Sequence, residues 1–156
     1  MDSIIVYSAK YLLFLSLVVA GIAFLYTDRT TKIKTIWLGL IASPIALIIT
    51  EIFGRLVYDP RPFVVDNIQP LFEHAADNGF PSDHALAAAL VAFVVFSFNK
   101  KVGFVLIVFT ILIGVARILA RVHHLLDIVG GISIALVSVV SAYYILKAYY
   151  PARRSS

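Results

Sequence analysis

Val102–Leu119 reads VGFVLIVFTILIGVARIL, eighteen residues whose one charge, Arg117, is held back to the last turn. About 20 such residues at 1.5 Å rise cover the hydrocarbon thickness of a bilayer, so the run reads as a membrane-crossing helix. Working outward, the same pattern repeats on both sides. Downstream, a short charged patch from Arg121 to Asp127 leads into an apolar run from about Leu125 to Tyr149. Upstream, Lys100 and Lys101 separate it from Ala85–Phe98, which reaches spanning length if its helix starts at Pro81 or Ser82. Thr35–Phe53 is another span, interrupted by Pro44, which predicts a kink. Ile4–Tyr26 is the first, with Lys10 snorkelling toward the interface. It reads as a span rather than a cleaved leader, because no basic stretch precedes it and no small-x-small site follows. Tyr143, Tyr144, Tyr149 and Tyr150 form an aromatic belt at the end of the last run.

The expected fold is therefore all-α, a multi-pass transmembrane helical bundle of about five spans in one integral-membrane domain, 1–156. Composition agrees: 61% of the 156 residues are apolar, 14% are charged, and mean hydropathy is +0.95. A soluble domain of this size cannot bury that much apolar surface. The composition also excludes a disordered chain and a nucleic-acid binder built on a basic surface. With no cysteine, disulfide, thiol and Cys–metal chemistry are excluded too.

Between the second and third spans, Gly54–Phe80 is a long polar loop carrying Pro60, Pro62 and Pro70 and the acids Asp59, Asp66, Glu73 and Asp77. Lys and Arg counted by loop give eight on one side (Arg29, Lys32, Lys34, Lys100, Lys101, Lys147, Arg153, Arg154) against five on the other. Asp28 alone of the nine carboxylates lies on the basic side. The positive-inside rule makes that side cytoplasmic and the acidic loop external, with the amino terminus outside.

Ionisable groups at membrane depth or at span ends are costly, which marks Arg55, Arg61, Arg117, Arg121, His84, His123 and Asp127 as functional candidates. All seven fall on the predicted external side, from three separate stretches that the alternation of spans brings to one face. Within ARILARVHHLLD (116–127), His123 and Asp127 are i, i+4 neighbours on a helix. There a carboxylate can hold one ring nitrogen and leave the other nucleophilic; an interfacial ion pair is the alternative, and His124 points elsewhere as a bystander. Arg117, Arg121 and Arg61 offer up to three guanidinium forks for a phosphate, or serve as headgroup anchors. PSDH (81–84) opens a helix whose N-terminal amides and Ser82 hydroxyl would cradle phosphate oxygens, with His84 as a general acid; a simple N-cap is the alternative.

The order R-x5-R-P (55–62), P-S-D-H (81–84) and A-R-x5-H-x3-D (116–127) resembles the three-part signature of the type 2 phosphatidic acid phosphatase family, over nearly half the chain. Its P-S-D-H and R-P-F are similar to the version in bacitracin-resistance-type undecaprenyl pyrophosphate phosphatases. The resemblance implies a catalytic set of His123 as nucleophile forming a phosphohistidine, Asp127 orienting it, and His84 protonating the leaving group. Arg61, Arg117, Ser82 and the backbone at Asp83 would bind phosphate, with Arg55 in place of the family lysine. It further implies no metal and no cofactor, a lipid-linked phosphate as partner among membrane lipids, and a site facing the periplasm or exterior of a bacterial inner membrane.

Three positions depart from the pattern. Gly54 occupies the family lysine position, with Arg55 as the nearest cation; Ala116 replaces a serine; and Asp83 replaces a glycine. Asp83 sets a negative charge beside the phosphate site, and is expected to pair with Arg55 or Arg121 and tune the site for a diphosphate. Undecaprenyl pyrophosphate is the leading substrate; phosphatidylglycerophosphate, phosphatidate and lipid A phosphate are alternatives. The non-enzymatic rival is a small transporter or scaffold, which requires ionisable residues mid-span.

Overall fold

The computed structural model describes residues 1–149; Tyr150, Arg153 and Arg154, read above as belt and basic tail, lie outside the described residues. Five long helices and one short turn follow in order: α1 (Asp2–Leu25), α2 (Arg29–Leu56), α3 (Pro62–Val65), α4 (Asp83–Phe98), α5 (Lys100–Leu119) and α6 (Leu125–Tyr149). Of these, α1, α2, α5 and α6 are long and apolar enough to cross a membrane. Helix α1 starts two residues before its expected span and stops one short of its end, α2 runs beyond its span at both ends, and Gly54–Leu56, read as loop, belongs to the last turn of α2.

Helix α4 is the structural centre, touching α1, α2, α5 and α6. Its buried face is Ala85, Leu86, Ala88, Ala89, Ala92 and Val95. Small side chains suit this position, because helices gain nothing over lipid by apolar burial alone and associate by close backbone approach. By contrast, only Ala9 and Ser16 are buried along α1, and Phe14, Leu15, Leu17, Val18 and Ile22 face outward, as lipid contact requires. Lys10 escapes the hydrocarbon by laying its Nζ 4.7 Å from the centre of the Phe72 ring, in the loop above.

Helix α4 departs from expectation in length. It has 16 residues, starts at Asp83 rather than at Pro81 or Ser82, and leaves Ser82 as an extended N-cap. The cause is α6: the Ser82 backbone N–H donates to the Asp127 carbonyl at 3.1 Å, so Ser82 is tied sideways and not coiled into α4. Gly131 of α6 permits this approach. A Cβ there would lie 2.8 Å from the Ser82 carbonyl and 3.1 Å from the Leu86 amide, both backbone atoms that cannot yield cheaply. Gly131→Ala is accordingly expected to cost about 1–3 kcal/mol and to lower the thermal unfolding midpoint in detergent. An unchanged midpoint would show that α4 and α6 separate without penalty.

Between α5 and α6 the chain reverses in a few residues. Arg121 sits in the left-handed region at φ 66, with its N–H on Ile118 O and the Val122 N–H on Arg117 O. These two bonds form a Schellman closure, here with arginine where glycine is usual. The turn places the last turn of α5 beside residues 122–124, which enter α6.

The loop 57–82 is pinned by Asn78. Its amide donates to Gly54 O (2.8 Å) and Val57 O (2.9 Å), and its Oδ1 accepts from the Asp59 and Phe80 amides. One half-buried side chain thus spends its full donor and acceptor capacity on closing the loop over the helix ends.

Candidate active site

His123 follows the α5 turn and is 2% exposed; Asp127 lies in the first turn of α6 and is 0% exposed. The His123 Nδ1–H donates to Asp127 Oδ2 at 3.1 Å, and the same oxygen accepts the His124 backbone N–H at 2.9 Å. That leaves Nε2 as the lone-pair nitrogen. Two guanidinium groups converge on it, Arg61 NH1 at 3.2 Å and Arg117 NH2 at 3.3 Å. Gly79 closes the floor, where a Cβ would lie 2.9 Å from Asp127 Oδ2.

The two arginines are held differently. Arg61, 6% exposed, donates from Nε to Asp77 (2.8 Å), from NH1 to Val122 O (2.8 Å) and from NH2 to Asn78 O (3.5 Å). Arg117, 2% exposed, reaches His74 Nε2 at 2.9 Å through NH2, while its Nε has no partner among the described residues. Ser82 Oγ, fully buried, likewise lacks a partner among them. Buried polar atoms ordinarily find one, and these two belong to residues expected to receive a phosphate.

Burial first, and then the charges of Arg117 and Arg61, hold the His123 imidazole below its ordinary value against the pull of Asp127. It is therefore neutral at pH 7, with Nε2 free to attack. His74 is lowered as well, by burial and by Arg61; its ring stands edge-on to His123 with centroids 6.2 Å apart. His84, in the first turn of α4, is half-buried and lies within electrostatic reach of Arg117, His123 and His74.

Of the residues singled out from sequence, the structure brings together His123, Asp127, Arg61 and Arg117, with Ser82 tied to Asp127 through its backbone and His84 within reach of the charge of Arg117. Arg55 is not among them: its Nε donates to Glu51 Oε1 at 2.7 Å one turn back, and its side chain is 78% exposed. Arg121 is spent on Gln69 O at 3.2 Å. The expected pairing of Asp83 with Arg55 or Arg121 is accordingly not made, and Asp83 is exposed. His124 is no bystander, since its Nδ1 lies 3.2 Å from Asp59 Oδ1.

Sequence reasoning missed His74, Asp77, Asn78 and Asp59. The signal for His74 was its rarity, one of four histidines, in a loop already assigned to the same face. Asp59, His124 and Asp127 each bring a donor atom within 4.8 Å of the other two, a convergence that the sequence did not foretell.

Comparisons with known proteins agree with the motif reading. The PAP2 superfamily profile matches residues 34–151. A bacitracin transport permease protein, BcrC, of Bacillus licheniformis is 34% identical over 148 residues, covering 93% of this chain and 70% of the relative. The undecaprenyl-diphosphatase BcrC of Bacillus subtilis is 28% identical over 88% of this chain and 70% of its own length. Among solved structures, LpxE of Aquifex aeolicus superposes with a TM-score of 0.71 at 23% identity, covering 92% of this chain and 85% of that one. A transmembrane PAP2 type phosphatidylglycerolphosphate phosphatase of Bacillus subtilis gives 0.67 at 18%, covering 97% and 79%. With its apolar spans, its helical fold and the matched profile, this chain is a multi-pass membrane protein that belongs to the PAP2 superfamily.

Proposed function

We propose that this chain hydrolyses a lipid-linked diphosphate, foremost undecaprenyl pyrophosphate to undecaprenyl phosphate, at the outer membrane face through a phosphohistidine on His123. The observation that carries the reading is the convergence of two buried guanidinium groups on His123 Nε2 while Asp127 holds Nδ1. A phosphoryl group entering there takes the arginine N–H donors, the Ser82 hydroxyl and the α4 N-terminal amides onto its oxygens, and leaves phosphorus facing Nε2. The N–P bond forms as the P–O bond to the lipid phosphate breaks, and His84, protonated once the anionic substrate is bound, gives its proton to the departing oxygen. Water then attacks phosphorus and loses a proton to His84, the N–P bond breaks, and inorganic phosphate leaves.

Preference for the diphosphate rests on the names of two relatives, the Bacillus subtilis protein and the Escherichia coli putative undecaprenyl-diphosphatase YbjG, 31% identical over 69% of this chain. The outward-facing site is supported by charge: Asp59, Asp66, Glu73 and Asp77 crowd its end of the bundle, and Arg29, Lys32, Lys34, Lys100, Lys101 and Lys147 the other. The transporter reading, echoed by the permease name of one relative, needs a polar path through the bundle. Among the described residues, the buried mid-span hydroxyls of Ser16, Thr110 and Ser138 each bond back to the carbonyl four residues earlier, which gives that reading no support.

The test is phosphate release by the purified protein in EDTA, with undecaprenyl pyrophosphate, phosphatidylglycerophosphate, phosphatidate and lipid A phosphate side by side. Chelator-resistant release that is fastest from the diphosphate is expected. Preference for a monophosphate would move the substrate and keep the mechanism, and release from none would overturn both.

A further inference from the structure

The His123–Asp127 pair uses one carboxylate oxygen of Asp127 twice and the other not at all. Oδ2 accepts both the His123 ring and the His124 amide; Oδ1 is fully buried with no hydrogen-bond partner among the described residues. Such an orphan beside a full charge is expensive unless a donor faces it. The carboxyl of Asp59 is close by, with an oxygen within 4.8 Å of an Asp127 carboxylate oxygen and of a His124 ring nitrogen.

Asp59 is not there by chance of a loose loop. Its amide donates to Asn78 Oδ1 at 2.9 Å and its carbonyl accepts the Gly79 N–H at 2.8 Å, and Gly79 itself abuts Asp127. His124 bridges the two acids, giving its backbone N–H to Asp127 and setting its ring against Asp59.

We propose that Asp59 is a positioning residue for the reaction, a carboxylic acid whose proton is donated to Asp127 and holds it in register with His123. This rests on the reading of His123 as nucleophile. Two carboxylates this close cannot both stay ionised without cost. Burial, and next the charge of Asp127, push Asp59 above the usual carboxylate range, with His124 pulling the other way. The charged and titratable groups facing this cluster are His124 and His123 from the α5–α6 turn, Arg117 from α5, Asp127 from α6, and Arg61 and His74 from the loop. The two arginines are committed to His123 and its neighbours, which leaves the proton to Asp59.

The sign of the effect separates this assignment from its opposite. If protonated Asp59 donates to Asp127, removing it leaves Asp127 a stronger anion and raises the His123 titration midpoint, by about half a pH unit. If Asp59 were instead an anion, removing it would lower the midpoint. The experiment follows the ring nitrogens of 15N-labelled histidine in the full-length protein in detergent, His123 being assigned by its loss in His123→Gln. Asp59→Leu and Asp59→Ala are expected to raise the midpoint, and Asp59→Asn, which still offers an N–H, to leave it in place. A fall in any of the three, or no change in the first two, overturns the proposal. The native protein supplies a measurement that survives misfolding of the donor-free variants: an infrared band of a protonated carboxyl at neutral pH that disappears in Asp59→Asn. Absence of that band, or its loss on adding Mg2+ or Zn2+ alone, also overturns it, the latter in favour of a cation held by Asp59, His124 and Asp127. None of these readouts needs substrate. A chain that releases no phosphate yet shows the band and the upward shift would refute the role of His123 and keep the Asp59–Asp127 hydrogen bond.

Discussion

His123→Gln is expected to reduce phosphate release by at least about 10^4-fold, the scale seen when a covalent nucleophile is removed and only the binding groups remain. The side chain is 2% exposed, and glutamine fills most of its volume while keeping an N–H within reach of Asp127. The fold therefore has little reason to change, and an unaltered thermal midpoint in detergent is part of the expected result. Arg61 and Arg117 persist in the variant, so substrate still binds and the loss falls on kcat. A second readout is independent of rate: a rapidly quenched native enzyme carries an acid-labile phosphate on histidine, and the variant carries none. Turnover within tenfold of native, with the protein folded, would eliminate the phosphohistidine mechanism.

Arg117→Lys should cost about 10^2- to 10^3-fold, comparable to deleting one preorganised donor from an anion-stabilising site. Charge alone does not account for the residue. Arg117 is 2% exposed, places NH2 between His74 and His123, and keeps Nε without a protein partner among the described residues. A phosphoryl group in transfer spreads charge over several oxygens, and a planar fork meets two of them at once where an ammonium meets one. A lysine of the same charge would also leave His74 Nε2 without its donor. The comparison is made on kcat at saturating substrate, and near-native turnover in the lysine variant would reduce Arg117 to a general source of positive potential.

Much of this site was legible before any coordinates. The partnership of His123 with Asp127 was legible from their spacing and from the rule that ionisable groups in a bilayer protein gather where they are used, although not as two neighbours on one helix: His123 stands in the turn before α6, and the Asp127 side chain reaches back to it from the first turn. The alternation of spans was enough to bring 61, 84, 117, 123 and 127 to one face. Arg55 was misjudged although the answer was local, since Glu51 sits four residues earlier on the same helix and claims it. The contributions of His74, Asp77 and Asp59 were illegible for a different reason. They ride on a loop whose path is set by Asn78 bonding to positions 21 and 24 residues away, and no periodicity encodes where such a loop will fold back. The start of α4 was placed one or two residues too early, because a tertiary bond to the Asp127 carbonyl competes with the helix for Ser82.

The shortness of α4 bears on how the molecule is made. Sixteen residues rise only about 24 Å, against about 30 Å of hydrocarbon, and the helix's small inward face is shaped for protein rather than lipid. A segment of this kind has little to gain from entering a bilayer alone. It is joined to α5 through Asn99 alone, and Gly103 of α5 packs against the backbone of Phe96 so closely that no side chain fits between them. Biogenesis then favours insertion of α4 and α5 together as a helical hairpin, with the strongly apolar α5 carrying its short partner across. The motif bearing Ser82 and His84 is thereby delivered to its place by a helix on which neither residue resides.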